Sequence, residues 1–287
     1  MNEQTINEIR LGRHAISIIR KVFLKEGTPY VVLDAKNINE IVLLFAKQTQ
    51  LLESFLLLME SNHTEEAIIL FRSMLNNSML IRYMSVTEPP EAKYRFNNYK
   101  AQPIKADIKR LKNYKQLLEK GLFSGVDIDS VMTVEDIDGK INYLQSNLIQ
   151  LGLVNKRNKA DLSILNIKSL AEVDSTLFSM YVQYYDIASR YEHSDPTSLD
   201  IYKEAIDEIP VSQAYIMNLS KTDDDLHKEI LYMCLACYGL TFINLLHFMN
   251  SIEDLLINWT KEDEKILAQL IAEFDFFIHN ERLNNNN

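Results

Sequence analysis

Glycine and proline are scarce in this sequence, seven and six among 287 residues, and a sheet-rich fold of that size needs more of both for its turns and bulges. Long helices are what remains. Only two cysteines are present, which gives no disulfide framework and fits a reducing, cytoplasmic setting. The opening residues Met1-Asn2-Glu3-Gln4-Thr5-Ile6-Asn7-Glu8 have neither the basic start nor the apolar run of a secretory signal. Positive charge is also in deficit. A formal charge of -10 argues against a chain that coats nucleic acid or anionic membrane with its whole surface.

Apolar side chain is plentiful, at 47% of the residues, enough for a large core. It recurs at helical spacing nearly throughout. Ile6, Ile9, Ile16, Ile19 and Phe23 predict a helix over 4–25, stopped by Gly27-Thr28-Pro29. A second is predicted over 39–60, and a third over 63–86, capped by Asn62 with Glu65 and ended by Pro89-Pro90. Pro103 divides 90–120 into two helical pieces. Thr133 with Asp136 reads as the cap of a helix to Gln150, closed by Gly152. Further helices are predicted over 174–194, before Pro210, over 222–249, near 251–258, and from Thr260 to about 281. The expected fold is therefore all-α, a single multi-helix bundle of eight to ten helices over 1–283, with a fraying tail at 284–287. Subdivision, where it occurs, is expected at the loops 121–132 or 152–166. Nineteen residues, Leu231 to Met249, lack any Asp, Glu, Lys or Arg and are long enough to span a bilayer. Thr241, Asn244 and His247 recur along one side of that run, which favours a helix buried in the bundle over a membrane span.

Several spacings that mimic chemistry are better read as packing. Cys234-Leu235-Ala236-Cys237 sits in the middle of an apolar helix, away from the N-terminal dipole that activates such thiols, and a zinc site would need two more ligands. Glu60-Ser61-Asn62-His63 has no second copy to complete a di-iron site. The acidic stretch Asp127 to Asp138 lacks the ligand order of a calcium loop. There is no Gly-rich phosphate loop and no Gly-x-Ser-x-Gly elbow. No metal and no cofactor is expected.

Two helices are apolar nearly all round yet hold polar residues at helical spacing. One carries Arg72 and Asn76; the other carries Tyr185, Ser189 and His193 at i, i+4, i+8. A buried Arg needs a partner, so Arg72 is expected to meet a carboxylate, Asp186 or Glu192. Two readings stay open: a polar network that fixes helix register, or a pocket in which His193 moves protons and Arg72 holds an anion.

The run Phe71-Arg72-Ser73-Met74-Leu75-Asn76, followed by Tyr185-Asp186-Ile187-Ala188-Ser189-Arg190-Tyr191-Glu192-His193, resembles a family of uncharacterised helical proteins from bacteria, archaea and phages. Their pattern is Arg-Ser-x-x-Glu on one helix and Tyr-x3-Ser-x3-His on another, and Asn76 stands here in place of the Glu. A more distant resemblance is to HEPN-type ribonucleases of toxin and antiphage systems, whose Arg-x4-6-His motif works without metal across a dimer. Arg190-Tyr191-Glu192-His193 has only two intervening residues. The resemblance implies His193 as acid or base and an Arg, Arg72 foremost, for the phosphate, with Asn76, Tyr185, Asp186, Ser189, Arg190 and Glu192 in support. It also implies a homodimer.

One segment departs from the acidic average. Lys93 to Lys120 holds nine basic and two acidic residues. Lys105, Lys109 and Lys112, with Arg110 and Lys115 beside them, form a basic stripe suited to RNA or DNA phosphates or to an acidic surface of this chain or of a partner, and a solvated or self-docked face is the favoured reading of it. The functional expectation is a cytoplasmic accessory protein of bacterial or phage origin with a HEPN-like ribonuclease site, and the alternative is a non-catalytic interaction module with a structural Arg–His network.

Overall fold

The computed structural model describes residues 3–27, 36–121, 132–193, 195, 199–207, 209–218, 224–252 and 259–284. The described residues are all-α apart from one short hairpin, two isolated bridges and connecting loops. The chain divides into two compact units, one made of Met1–Ser85 with Ile167–Asn287, the other of Val86–Asn166. One boundary thus falls at the end of the 152–166 loop. Residues 121–132 lie inside the second unit, and of these 122–131 are outside the described residues, as are 285–287 and most of the helix expected near 251–258.

In the first unit, α1 (Glu3–Ile18) runs into a π turn (Ile19–Phe23), followed by α2 (Lys36–Glu60) and α3 (Thr64–Met84). Then come α7 (Ile167–Ala171), α8 (Ser175–Met180), a second π turn (Tyr181–Tyr185) and α9 (Asp186–Glu192). The unit closes with α10 (Asp224–Asn250) and α11 (Lys261–Asn284). α10 is the centre, packed on α1, α2, α3 and α11. Its apolar residues are buried nearly all round, from Ile230 and Leu231 to Phe248 and Met249, the pattern of a core helix. Phe45 stacks on Tyr238 and Phe242 at ring-centroid distances of 5.4 and 5.8 Å, and Phe23 meets Phe45 edge-on at 5.5 Å. Such pairs add about 0.5–1.5 kcal/mol each beyond area burial. α10, and α2 from Ile38, are each long and apolar enough to cross a membrane, and 67% of the α10 window against 44% of the α2 window is buried within the chain.

Of the helix expected before Pro210, the described residues hold only Leu199 in α-helical form, residues 196–198 lying outside them. A 3-10 turn (Asp200–Tyr202) leads instead into β1 (Lys203–Ala205), which pairs antiparallel with β2 (Tyr215–Met217) in the register Lys203↔Met217. Pro210 offers no backbone donor and starts the reversal, where Gln213 N donates to Pro210 O at 2.8 Å.

The second unit contains α4 (Pro89–Lys100), α5 (Gln102–Glu119) and α6 (Val134–Gln150). Pro103 opens α5, a place where a missing donor costs nothing. Thr133 and Asp136 form the expected reciprocal capping box. Ile108, Leu111, Ile137, Ile141, Leu148 and Leu153 make its core. At the end of α6, Gly152 takes φ +78° and Leu153 N donates to Leu148 O at 3.0 Å, the geometry of a helix stop that a side chain would strain.

Candidate functional site

Arg72 lies in the middle of α3, on the side that receives α9. Its side chain is only 18% exposed, so its charge needs compensation in place. Glu192 at the end of α9 supplies the carboxylate, in an ion pair with Arg72 Nη1. Nη2 donates to Tyr185 Oη at 3.1 Å, and the guanidinium carbon sits 4.5 Å from the centre of the Tyr185 ring. A cation over an aromatic face adds roughly 0.5–2 kcal/mol depending on desolvation. Of the two acidic residues expected to meet Arg72, Glu192 does so; Asp186 faces Arg190 one turn on, at 2.8 Å.

The π turn helps bring this about. An extra residue in the turn shifts the side chains that follow, so that neighbouring tyrosines both find partners inside the unit. Tyr184 is buried edge-on to Phe71, with ring centroids 6.1 Å apart, and donates to Glu229 Oε1 at 2.7 Å. Burial, and then the Glu229 hydrogen bond, push its phenol far above the ordinary value. Tyr185 turns to Arg72.

His193 follows Glu192 as the residue that ends α9, and its side chain is 71% exposed. Its Nε2 lies 3.9 Å from Glu192 Oε2, the oxygen that also pairs with Arg72. One carboxylate therefore stands between a mostly buried cation and an exposed imidazole. Ser189 is half-buried, and its carbonyl accepts from His193 N at 3.0 Å. Asn76, one turn beyond Arg72, has its Oδ1 buried without a partner among the described residues, as does Arg72 Nε.

The basic stripe is divided between a buried and an exposed part. Lys105 is buried at 2% exposure, and its Nζ donates to Asn98 Oδ1 and Ser163 O, both at 2.8 Å. Burial lowers its pKa, with Asp161 opposing. The 152–166 loop covers this flank of α5, which helical phase alone could not reveal. Lys115 is held by Asp138 at 2.6 Å and Arg110 by Asp107 at 3.0 Å. Lys109, Arg110 and Lys112 are the members left exposed.

Sequence reasoning missed a polar network inside the first unit. Gln48 Nε2 donates to Ser78 Oγ at 2.9 Å, Thr241 Oγ1 bonds Ser78 Oγ at 2.8 Å, and Ser78 lies 3.2 Å from Cys237 Sγ. The small polar residues of α10 were its signal. Both thiols are fully buried; desolvation pushes Cys237 up to about 11 and Cys234 well above its ordinary value, so neither is a ready nucleophile. Among the described residues no three His, Cys, Asp or Glu side chains gather as metal ligands would.

The family of unknown function (DUF5677) matches residues 40–208, a span that contains Arg72 and His193. The match covers more than half of the chain, and the chain belongs to that family. No curated protein and no solved structure matches it.

Proposed function

We propose that this member of DUF5677 is a non-catalytic helical interaction protein in which Arg72, Tyr185 and Glu192 lock α9 to α3. One observation carries the reading: the Arg72 guanidinium is engaged on two sides and under a ring, with the side chain 18% exposed, an arrangement suited to fixing helix register rather than receiving a substrate phosphate. Exposed Lys109, Arg110 and Lys112 on α5 favour an acidic partner, either a protein surface or RNA.

A second reading is a metal-independent ribonuclease of HEPN type in bacterial or phage defence. It is favoured by the exposure of His193 and by its 3.9 Å approach to Glu192, since a carboxylate beside an imidazole can orient it for proton transfer. The separating experiment compares Arg72→Ala and His193→Ala for thermal unfolding, RNA cleavage and toxicity on expression. The interaction reading expects Arg72→Ala to unfold earlier, His193→Ala to unfold like the wild type, and no His193-dependent cleavage. A His193→Ala protein that keeps wild-type stability but loses RNA cleavage or toxicity overturns it in favour of the nuclease.

A further inference from the structure

We propose that the cleft between α8 and α10 binds a small organic anion, with its carboxylate or phosphate against Arg82 and a partly apolar body along α8. Two cavities, of about 160 and about 520 Å³, adjoin there and share Thr176 and Leu240 in their walls. The larger lies in the usual size range of small-molecule sites, about 300–1,000 Å³.

The smaller cavity is the end that carries charged side chains. It is walled by Arg82 and Ser78 of α3, Asp174 and Thr176 at the start of α8, and Thr241 and Asn244 of α10. Asp174 does not make this end hostile to an anion, because its charge is compensated in place. Its Oδ1 accepts from the backbone N–H of Thr176 and Leu177 at 3.0 and 3.1 Å, and its Oδ2 accepts from Arg82 Nε at 3.3 Å. Only Nε of Arg82 is given to Asp174. The side chain is 40% exposed, so its terminal nitrogens remain for a bidentate contact with a carboxylate or phosphate.

Ser78 and Thr241 are buried at 1% and 5% exposure and yet line this cavity. They form its floor and continue inward to Gln48, whose Oε1 is buried without a partner among the described residues. Polar groups are costly in a helical core. A network that only fixed register would have no need to open onto a cavity. The larger cavity adds Ser179, Gln183 and Tyr232 for polar contacts, with Met180, Met233 and Ile278 as apolar wall. Methionine walls adapt to the shape of a ligand.

The test uses the full chain with isotope-labelled methionine methyls, titrated separately with octanoate, adenosine monophosphate and inorganic phosphate. Octanoate and the nucleotide distinguish a carboxylate from a phosphate monoester as the head group. Saturable shifts of the Met180 and Met233 signals with at least one of these two are expected. Arg82→Gln should weaken that binding about tenfold, as loss of a charge-assisted contact implies. Ser179→Tyr, an exposed position that fills the larger cavity, should abolish it while thermal unfolding stays at the wild-type temperature. The proposal fails if neither organic probe moves those methyls at millimolar concentration, if phosphate alone binds, or if Arg82→Gln binds as tightly as the wild type. Arg72, Glu192 and His193 take no part, so this outcome is independent of the reading given above for them.

Discussion

At the scale of single residues, buried charges such as Arg72 and Lys105 are each held by specific partners, while single atoms, among them Arg72 Nε, Asn76 Oδ1 and Gln48 Oε1, are buried without one among the described residues. Arg72 was legible in the sequence because a mid-helix Arg among apolar neighbours must find a carboxylate, and Glu192 provides it. Lys105 was not legible. Its burial depends on the carbonyl of Ser163, supplied by a loop whose path the helical pattern does not encode. His227 is a third case, buried at 7% exposure with Nδ1 2.8 Å from Thr64 Oγ1. Desolvation lowers its pKa below the ordinary imidazole value, with Asp224 opposing. The sign follows from linkage: below the unfolded-state pKa the unfolded chain binds a proton that the native imidazole resists, so this stabilisation is present above about pH 6.5 and is lost as pH falls through the native pKa. Urea unfolding from pH 7 to pH 5 should show stability falling, and His227→Gln should make that limb shallower. Equal slopes for the two proteins would remove His227 as the cause.

At the scale of elements, close approach of helices decides more than propensity. A Cβ on Gly239 would lie 2.5 Å from the Phe274 ring, so α10 and α11 meet at a distance that only glycine permits. Helix propensity alone makes Gly239→Ala stabilising by about 1 kcal/mol. The clash acts in the opposite direction and is larger, because overpacking costs about 1–3 kcal/mol. Gly239→Ala should therefore lower the urea midpoint; an unchanged or raised midpoint would mean that the helices separate without penalty. Most helices were readable from apolar spacing, as were the Thr133–Asp136 box and the division at Pro103, but the cap expected from Asn62 with Glu65 does not form: His63 takes the N-cap place of α3 without a side-chain hydrogen bond, and Asn62 lies in the preceding turn at φ +59°. The β1–β2 hairpin was not, since three-residue strands carry too little alternation to compete with a helical pattern. The π turns were also hidden, because inserting one residue into a turn leaves composition unchanged.

At the scale of the whole molecule, one family match and two units frame the function. The second unit interrupts the first in sequence, between Ser85 and Ile167, so Arg72 and its partners Tyr185 and Glu192 come from either side of an 81-residue insertion, Val86–Asn166. Residues so far apart in sequence must be drawn together by the fold, and in the first unit the Arg72–Glu192 pair is one of the contacts that does this. The convergence of the Arg72 and Tyr185–His193 segments could be anticipated from residue chemistry; its role could not, since an exposed His beside a paired carboxylate suits both a lock and a nuclease. The most direct measurement is a double-mutant cycle in urea unfolding with Arg72→Gln, Glu192→Gln and the double variant. Glu192 is 42% exposed, so the coupling expected for a structural lock is about 1–2 kcal/mol, below that of a fully buried pair. A coupling within about 0.3 kcal/mol of zero would contradict the lock and leave Arg72 free for chemistry.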